Sequence, residues 1–262
     1  MNDLSIYTQS FPIVITGLKL LAKEFEVPEK NLRVTVAPSD VASGTISVQI
    51  RNMNQDAGRG LAKRIVDDLF DELLLEFAHH ITEAVAPKPG RPFIVDASGH
   101  ETLLIDVADV VKLGSTPGHT AYMPNDAQVS AVTDRVRFRL FTPQPATSAQ
   151  LYSAKKMFSI GMQSEDEVVR FLILYSAVAL AAFFKWHSGK QEYVDMLLQQ
   201  AVPGLVPAPT GHNGKMETVY TKIRNDFVHA EERAVDLFGP MQEIHQRLRE
   251  FQRDVATVLK TL

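Results

Sequence analysis

Apolar and polar residues alternate with period two over Leu32-Arg33-Val34-Thr35-Val36 and again over Ile46-Ser47-Val48-Gln49-Ile50, which is the pattern of half-buried strands. Ile13-Val14-Ile15 and the apolar run at residues 18–21 read as strands as well, and Ala42-Ser43-Gly44 reads as the turn before the last of them. The spacing then changes. Leu61, Ile65, Leu69, Leu73, Phe77 and Ile81 recur every four residues, with Lys63, Arg64, Asp67, Asp68, Asp71 and Glu72 on the other side. This predicts one long amphipathic helix over residues 60–85, stopped by Pro87-Lys88-Pro89-Gly90. Three more strands are expected at residues 92–95, 103–111 and 129–141. In the last of them Arg135, Arg137 and Arg139 alternate with Val136, Phe138 and Leu140, so the arginines are expected on its wet face. Gly, Pro, Thr and Asn over residues 114–126 predict a loop.

Thr142-Pro143-Gln144-Pro145 marks a change of character, and nearly everything after it has helical spacing. Helices are expected over residues 146–158, from Ser164 to about His187, over 191–202 and over 215–232, with a last one introduced by Gly239-Pro240. Ser164-Glu165-Asp166-Glu167 has capping-box form, with Ser164 as the N-cap. The helix it opens is apolar almost all round, so it is expected at the centre of a bundle. Met241, Ile244, Leu248, Phe251, Val255, Val258 and Leu262 step by three and four in turn, a narrow seam for packing inside the bundle or against a second copy. The fold expected is α+β: an N-terminal domain over residues 1–143 with a mixed sheet and one long helix, and a C-terminal all-α bundle over residues 146–262.

Composition narrows the chemistry. The chain has 262 residues, 45% of them hydrophobic and 22% charged, which is ordinary globular usage. With no cysteine, disulfides, thiolate nucleophiles and Cys-based zinc sites are all excluded. Residues 1–150 carry 14 Lys+Arg against 18 Asp+Glu, and the remainder carries 13 of each, which together give the net charge of −4. No basic stripe suited to general nucleic-acid affinity is present, and DNA is not expected as a partner. The start of the chain lacks a basic-then-apolar leader. The longest uncharged apolar run, residues 171–184, has 14 residues, whereas a span needs about 20, so no membrane is expected and the cytoplasm is the default location.

Most chemical signals are weak. Glu76 and His79 have Glu-x-x-His spacing, but di-iron bundles need two copies and further carboxylates. His79 and His80 diverge by about 100° on a helix. His187, His212 and His245 lack partners at metal spacing, and there is no Gly-rich phosphate loop or Gly-x-Ser-x-Gly elbow. No metal and no cofactor are expected.

The segment Arg224-Asn225-Asp226-Phe227-Val228-His229 is different. It lies in a helical pattern whose apolar face is Val219, Ile223 and Phe227, and it adjoins Glu231-Glu232-Arg233. Arg224 offers a planar fork for phosphate oxygens, His229 can exchange protons near neutrality, and Asn225 can orient either. RNA carries its own nucleophile, the 2′-hydroxyl. Arg224 and His229 lie about 140° apart on one helix, so a shared target needs a helix start near Arg224, the reach of the arginine, or a second copy. The plain alternative is a structural Arg and His at a helix–helix contact. Lys215, Lys222, Arg224 and Arg233 are the only basic residues nearby, and Lys222 and Arg233 are the candidate substrate-binding pair.

The segment resembles the signature of the HEPN superfamily: Arg, then Asn, Asp or His, then three residues, then His. Arg170-Phe171-Leu172-Ile173-Leu174-Tyr175 and the apolar helix after it look like the central helix of the Apea-like HEPN group. The order of elements over the whole chain is similar to HEPN-like proteins associated with methylamine-utilisation genes. The resemblance implies a homodimer that joins two signatures, placed at the start of a late helix, into one metal-independent ribonuclease site. Arg224 would then bind the scissile phosphate, His229 would serve proton transfer or substrate positioning, Asn225 would orient them, and the product would be a 2′,3′-cyclic phosphate. Such proteins act in toxin, defence or stress systems. Two departures matter: the first, with the neutral charge of the helical half and the absence of a basic groove, favours a catalytically silent interaction or sensor module instead, and the second means that control by nucleotide transfer is not expected. Tyr175-Ser176-Ala177-Val178-Ala179-Leu180 lacks the acidic residue common in the central helix, and Glu231 stands where nucleotide-silenced toxins have Tyr.

Overall fold

The alternating segments become strands because one face of each can be buried. Leu32, Val34 and Val36 are buried in β3 (Leu32–Pro38), and Ile46, Val48 and Ile50 are buried in β4 (Ser43–Arg51). Register sets Val34 opposite Val48 and Val36 opposite Ile46. Burying such a side chain contributes roughly 1.5–3 kcal/mol, so these matched columns fix the pairing. β1 (Ile6–Thr16) is central to the sheet, pairing β4 along one edge with Tyr7 opposite Ile50 and Phe11 opposite Ile46. Its other edge pairs β5 (Glu83–Val85) near its end and β6 (Phe93–Val95) near its start. With β2 (Lys23–Val27) and β7 (Glu101–Leu103) the order is β2-β3-β4-β1-β6-β7. All these pairings are antiparallel, and one isolated parallel bridge joins Leu18 to Tyr122.

The computed structural model describes residues 6–28, 31–39, 42–90, 92–95, 101–103, 121–141, 149–209, 214–229 and 237–262. The protein is α+β and divides into two units, residues 1–73 with 80–143 and residues 74–79 with 144–262. Residues 104–111 of the expected strand, 114–120 of the expected loop, the boundary at Thr142-Pro143-Gln144-Pro145, and His212, Glu231, Glu232 and Arg233 lie outside the described residues.

In the first unit the long helix, α1 (Gln55–Glu76), is shifted towards the N-terminus from its expected bounds. Asn54 caps it, its Oδ1 accepting from the Ala57 N–H at 2.9 Å. It ends well before Val85. The chain turns over residues 77–80, and Glu83–Val85 joins the sheet as β5 instead. The turn fits because Gly17, at φ 93°, lies so close to the His80 carbonyl that a Cβ there would sit 2.1 Å from its oxygen.

Residues 126–141 are a helix, α2 (Asp126–Phe141), and not the expected strand. Asn125 and Gln128 form a reciprocal capping box: the Gln128 N–H donates to Asn125 Oδ1 at 3.0 Å and the Asn125 N–H donates to Gln128 Oε1 at 2.9 Å. Val129, Val132 and Val136, at helical spacing, are buried. The arginines are not all on a wet face. Arg135 Nε donates to the buried Glu72 carboxylate at 2.6 Å, and Arg139 bonds the same carboxylate from one turn later.

The second unit comprises α3 (Ala149–Gln163), α4 (Glu167–Trp186), α5 (Gln191–Ala201), a short hairpin of β8 (Ala208–Pro209) and β9 (Met216–Glu217), α6 (Val219–Val228) and α7 (Phe238–Thr261), with residues 74–79, the end of α1 and the start of the turn after it. The seam of α7 is buried at Ile244, Leu248, Phe251, Val255 and Val258, while Met241 at its start is exposed. Phe251 packs on Phe171 of α4 and Tyr220 of α6, with ring centroids 4.8 and 4.4 Å apart. Asp166, not Ser164, caps α4, its Oδ1 accepting from the N–H groups of Val168 and Val169. Asp166 wins because its carboxylate reaches two amides at the positive end of the helix. The Ser164 carbonyl instead accepts from Arg170 Nε at 2.8 Å.

Helix α4 has 20 residues, and an 18-residue stretch of it has a mean hydropathy of 1.9, the length and composition of a membrane span, but one face of it is bundle core. Phe171, Leu174, Tyr175, Ala177, Val178, Ala181 and Ala182 are buried, whereas Leu172, Ser176, Ala179, Leu180 and Phe183 are not. The helix expected at the centre of the bundle therefore has an open side.

Candidate functional site

The Arg224 segment sits where α6 ends. Thr218 begins the helix as its N-cap, accepting from the Thr221 N–H at 3.3 Å. Its own N–H and hydroxyl both donate to Asp195 Oδ1 of α5, at 3.2 and 2.6 Å. The Thr221 hydroxyl donates to the same oxygen at 2.6 Å, so Tyr175 of α4, 2.9 Å from Thr221 Oγ1, must be the donor in that pair. Burial pushes the Tyr175 hydroxyl up to about 12, which keeps its proton in place. Three donors thus converge on one oxygen of the buried Asp195 carboxylate and, with Tyr175, link α4, α5 and α6.

Arg224 and Asn225 lie in the second half of the ten-residue α6, and His229 is its C-cap. The signature is at a helix end and not at the helix start that the resemblance implies. The His229 N–H donates to the Asn225 carbonyl at 3.0 Å, and its side chain is partly exposed. A helix C-terminus carries partial negative charge, so the position itself opposes a phosphate and leaves that task to the guanidinium.

Asn225 is 2% exposed and its amide is committed within the protein. Its Oδ1 accepts from Arg224 Nη1 at 3.0 Å and from Gln191 Nε2. Its Nδ2 donates to the buried Glu217 carboxylate at 3.3 Å, with Gln191 Oε1 at 3.4 Å. Arg224 is half-buried and, among the described residues, forms no ion pair; one of its five N–H donors is used, on a neutral amide. It lines an open groove of about 580 Å³ together with Leu172, Ala179, Leu180 and Phe183 of α4. Ser176, Tyr175 and Gln191 supply its polar lining.

Lys222 does not reach this groove as a spare cation. It pairs with Asp226 at 3.0 Å and Glu243 of α7 at 3.6 Å. Burial opposes its charge, but the bond to Asp226 and the two carboxylates outweigh burial and hold its pKa above the usual value. The other proposed substrate contact, Arg233, is outside the described residues. Glu76 pairs with Lys260 at 3.6 Å. His245 meets Glu167 of α4 at 2.7 Å, a partner that spacing along the sequence does not reveal, but one imidazole and one carboxylate do not make a metal site.

Tyr175, Gln191, Asp195 and Glu217 complete the cluster, and none of them stands out in the linear sequence. The one available signal is Thr218. A threonine directly before an apolar helical face marks a start at Val219, later than the expected 215, and leaves Glu217 in the turn beside it. No family model, curated protein or solved structure matches the chain.

Proposed function

We propose that the protein is a metal-independent endoribonuclease whose site pairs Arg224 and His229 with the same residues of a second copy. The observation that supports this reading is the guanidinium of Arg224, which lines an open groove, uses one of its five donors and forms no ion pair among the described residues. A half-buried arginine in that state is suited to a phosphodiester oxyanion. Cleavage would form a bond from the 2′-oxygen to phosphorus and break the bond from phosphorus to the 5′-oxygen. His229 of one copy would take the 2′ proton and the other His229 would donate to the departing oxygen. A second copy is invoked because ideal helix geometry turns positions five apart by about 140°, so one chain does not by itself aim Arg224 and His229 at the same atom. The groove and its apolar rim on α4 are the surface on which a second copy would lie.

The test is cleavage of single-stranded RNA by the full chain in EDTA, comparing wild type with Arg224→Ala and His229→Ala and analysing the ends for cyclic phosphate. The expected result is loss of cyclic-phosphate product in both variants with folding intact. Undiminished cleavage in both would remove the site.

A second reading, a silent HEPN-like interaction or sensor module, is favoured by a separate observation. Asn225, the middle member of the trio, is buried and fully bonded to Glu217, Gln191 and Arg224, as a structural residue would be. Absence of any RNA cleavage by the wild type selects this reading.

A further inference from the structure

We propose that Glu217 is a positioning residue which, through Asn225, aims the Arg224 guanidinium into the groove; the inference rests on the reading of Arg224 as the phosphate-binding group. An asparagine amide has an acceptor end and a donor end that differ little in shape, so its orientation follows from its partners. Two of the partners of Asn225 have only one role. Arg224 can only donate, and an ionised Glu217 can only accept. Gln191 offers both roles and adapts to either orientation, since it faces the amide with both ends of its own. Glu217 is therefore the group that turns the Asn225 NH2 towards itself and its oxygen towards Arg224.

Glu217 is well held for this task. It lies in β9, paired with Ala208 of β8, and is 5% exposed. The next residue, Thr218, is pinned by Asp195 through both its backbone and its hydroxyl. Lys215 Nζ stands 3.8 Å from its carboxylate. The amide between them also serves as a neutral spacer. A carboxylate bonded directly to Arg224 would neutralise it, whereas Glu217 acting through Asn225 orders the guanidinium and leaves its charge for an oxyanion. Polarisation along the chain of bonds strengthens the oxygen that receives Arg224.

The test uses the full chain and four variants: Glu217→Ala, Glu217→Gln, Asn225→Asp and the double variant Glu217→Gln with Asn225→Asp. The readouts are the Arg224 Nε–Hε resonance and its exchange with water by NMR, cleavage of a short single-stranded RNA, and urea unfolding. Glu217→Ala is expected to shift the resonance, speed its exchange and lower kcat by about tenfold to a hundredfold, the scale of a small misplacement of a binding group. Glu217→Gln retains an accepting oxygen and should restore both. Asn225→Asp sets two carboxylates together and should displace the resonance, while the double variant relieves that repulsion and returns it. An Arg224 resonance unmoved in folded Glu217→Ala overturns the proposal, as does a Gln variant no better than Ala. Should Glu217→Ala fail to fold, the return of the resonance in the double variant, or its failure to return, decides. If the wild type cleaves no RNA, the ribonuclease reading fails by itself and the resonance still decides the role of Glu217.

Discussion

Replacing Asp195 with alanine tests whether the frame of the site is held as described. The change removes one buried oxygen that three donors share: the Thr218 N–H, the Thr218 hydroxyl and the Thr221 hydroxyl. Hydrogen bonds to a charged group contribute about 1.5–3 kcal/mol each, and a donor left buried without a partner incurs a penalty of similar size. The three losses are not equal. The Thr218 hydroxyl can turn to Thr221 at 3.4 Å, while the Thr221 hydroxyl can turn to Tyr175 only if the Tyr175 proton that it now accepts turns away. The Thr218 N–H has no substitute, and the desolvation of Asp195 itself is recovered. The net loss is therefore about 3–5 kcal/mol, a large part of the roughly 5–15 kcal/mol that holds a domain folded. Asp195→Asn, which keeps one accepting oxygen, should lose only about 1–2 kcal/mol. The assay is urea unfolding followed by far-UV circular dichroism, with the midpoint read at unchanged slope. Asp195→Ala combined with Thr218→Val should lose less than the sum of the single losses by more than about 1 kcal/mol, because the two residues share bonds. An Asp195→Ala protein within about 1 kcal/mol of wild type, or strict additivity in the double variant, would refute the frame.

Two further outcomes follow from local geometry. Gly17→Ala should lower the melting temperature by several degrees, since φ 93° alone strains a side chain by about 1–3 kcal/mol and the new Cβ would meet the His80 carbonyl at 2.1 Å; a melting curve matching wild type contradicts this. Asp254 has a pKa raised above the usual carboxylate value by burial, partly offset by the Tyr220 hydroxyl that donates to it at 2.6 Å. Its folded pKa exceeds its unfolded one, so its contribution is fully present in acid, below the unfolded pKa, and is lost as pH rises through the folded pKa. Asp254→Asn should accordingly be more stable than wild type at neutral pH, with the gap closing in acid, as measured by urea midpoints across pH.

The parts legible in the sequence are those where local pattern and burial agree. The alternation of residues 32–36 and 46–50 gave strands because a single buried face enforces period two. The seam of the last helix was equally plain, and its central positions are buried. Residues 129–141 misled because three arginines at alternate positions imitate a strand. Two of them, four apart, instead converge on Glu72, a residue 63 and 67 positions away along the chain. The overriding local signal was Asn125 with Gln128, a capping pair at the end of a stretch read as loop and just before the expected strand. At the site, the chemistry of Arg224, Asn225 and His229 could be named from residue type. Their setting could not, because Gln191 and Glu217 reach Asn225 from 34 and 8 residues away, and neither distance is periodic.

The bond from Lys260 Nζ to the Glu76 carbonyl joins the last turn of α7 to the end of α1 across 184 residues of chain. Helical bundles ordinarily fold fast because nearly all their contacts are local. This one is spliced from two separated stretches, residues 74–79 and 144–262. Its closure entropy grows only with the logarithm of the intervening length, so the long detour weakens the equilibrium little. The burden falls on kinetics. The six residues that complete the bundle must be brought back from a distant part of the chain, so α3 to α7 can collapse on one another early and still wait for their last piece. The rate of folding of the helical unit is thereby tied to the fate of a segment that the other unit delivers.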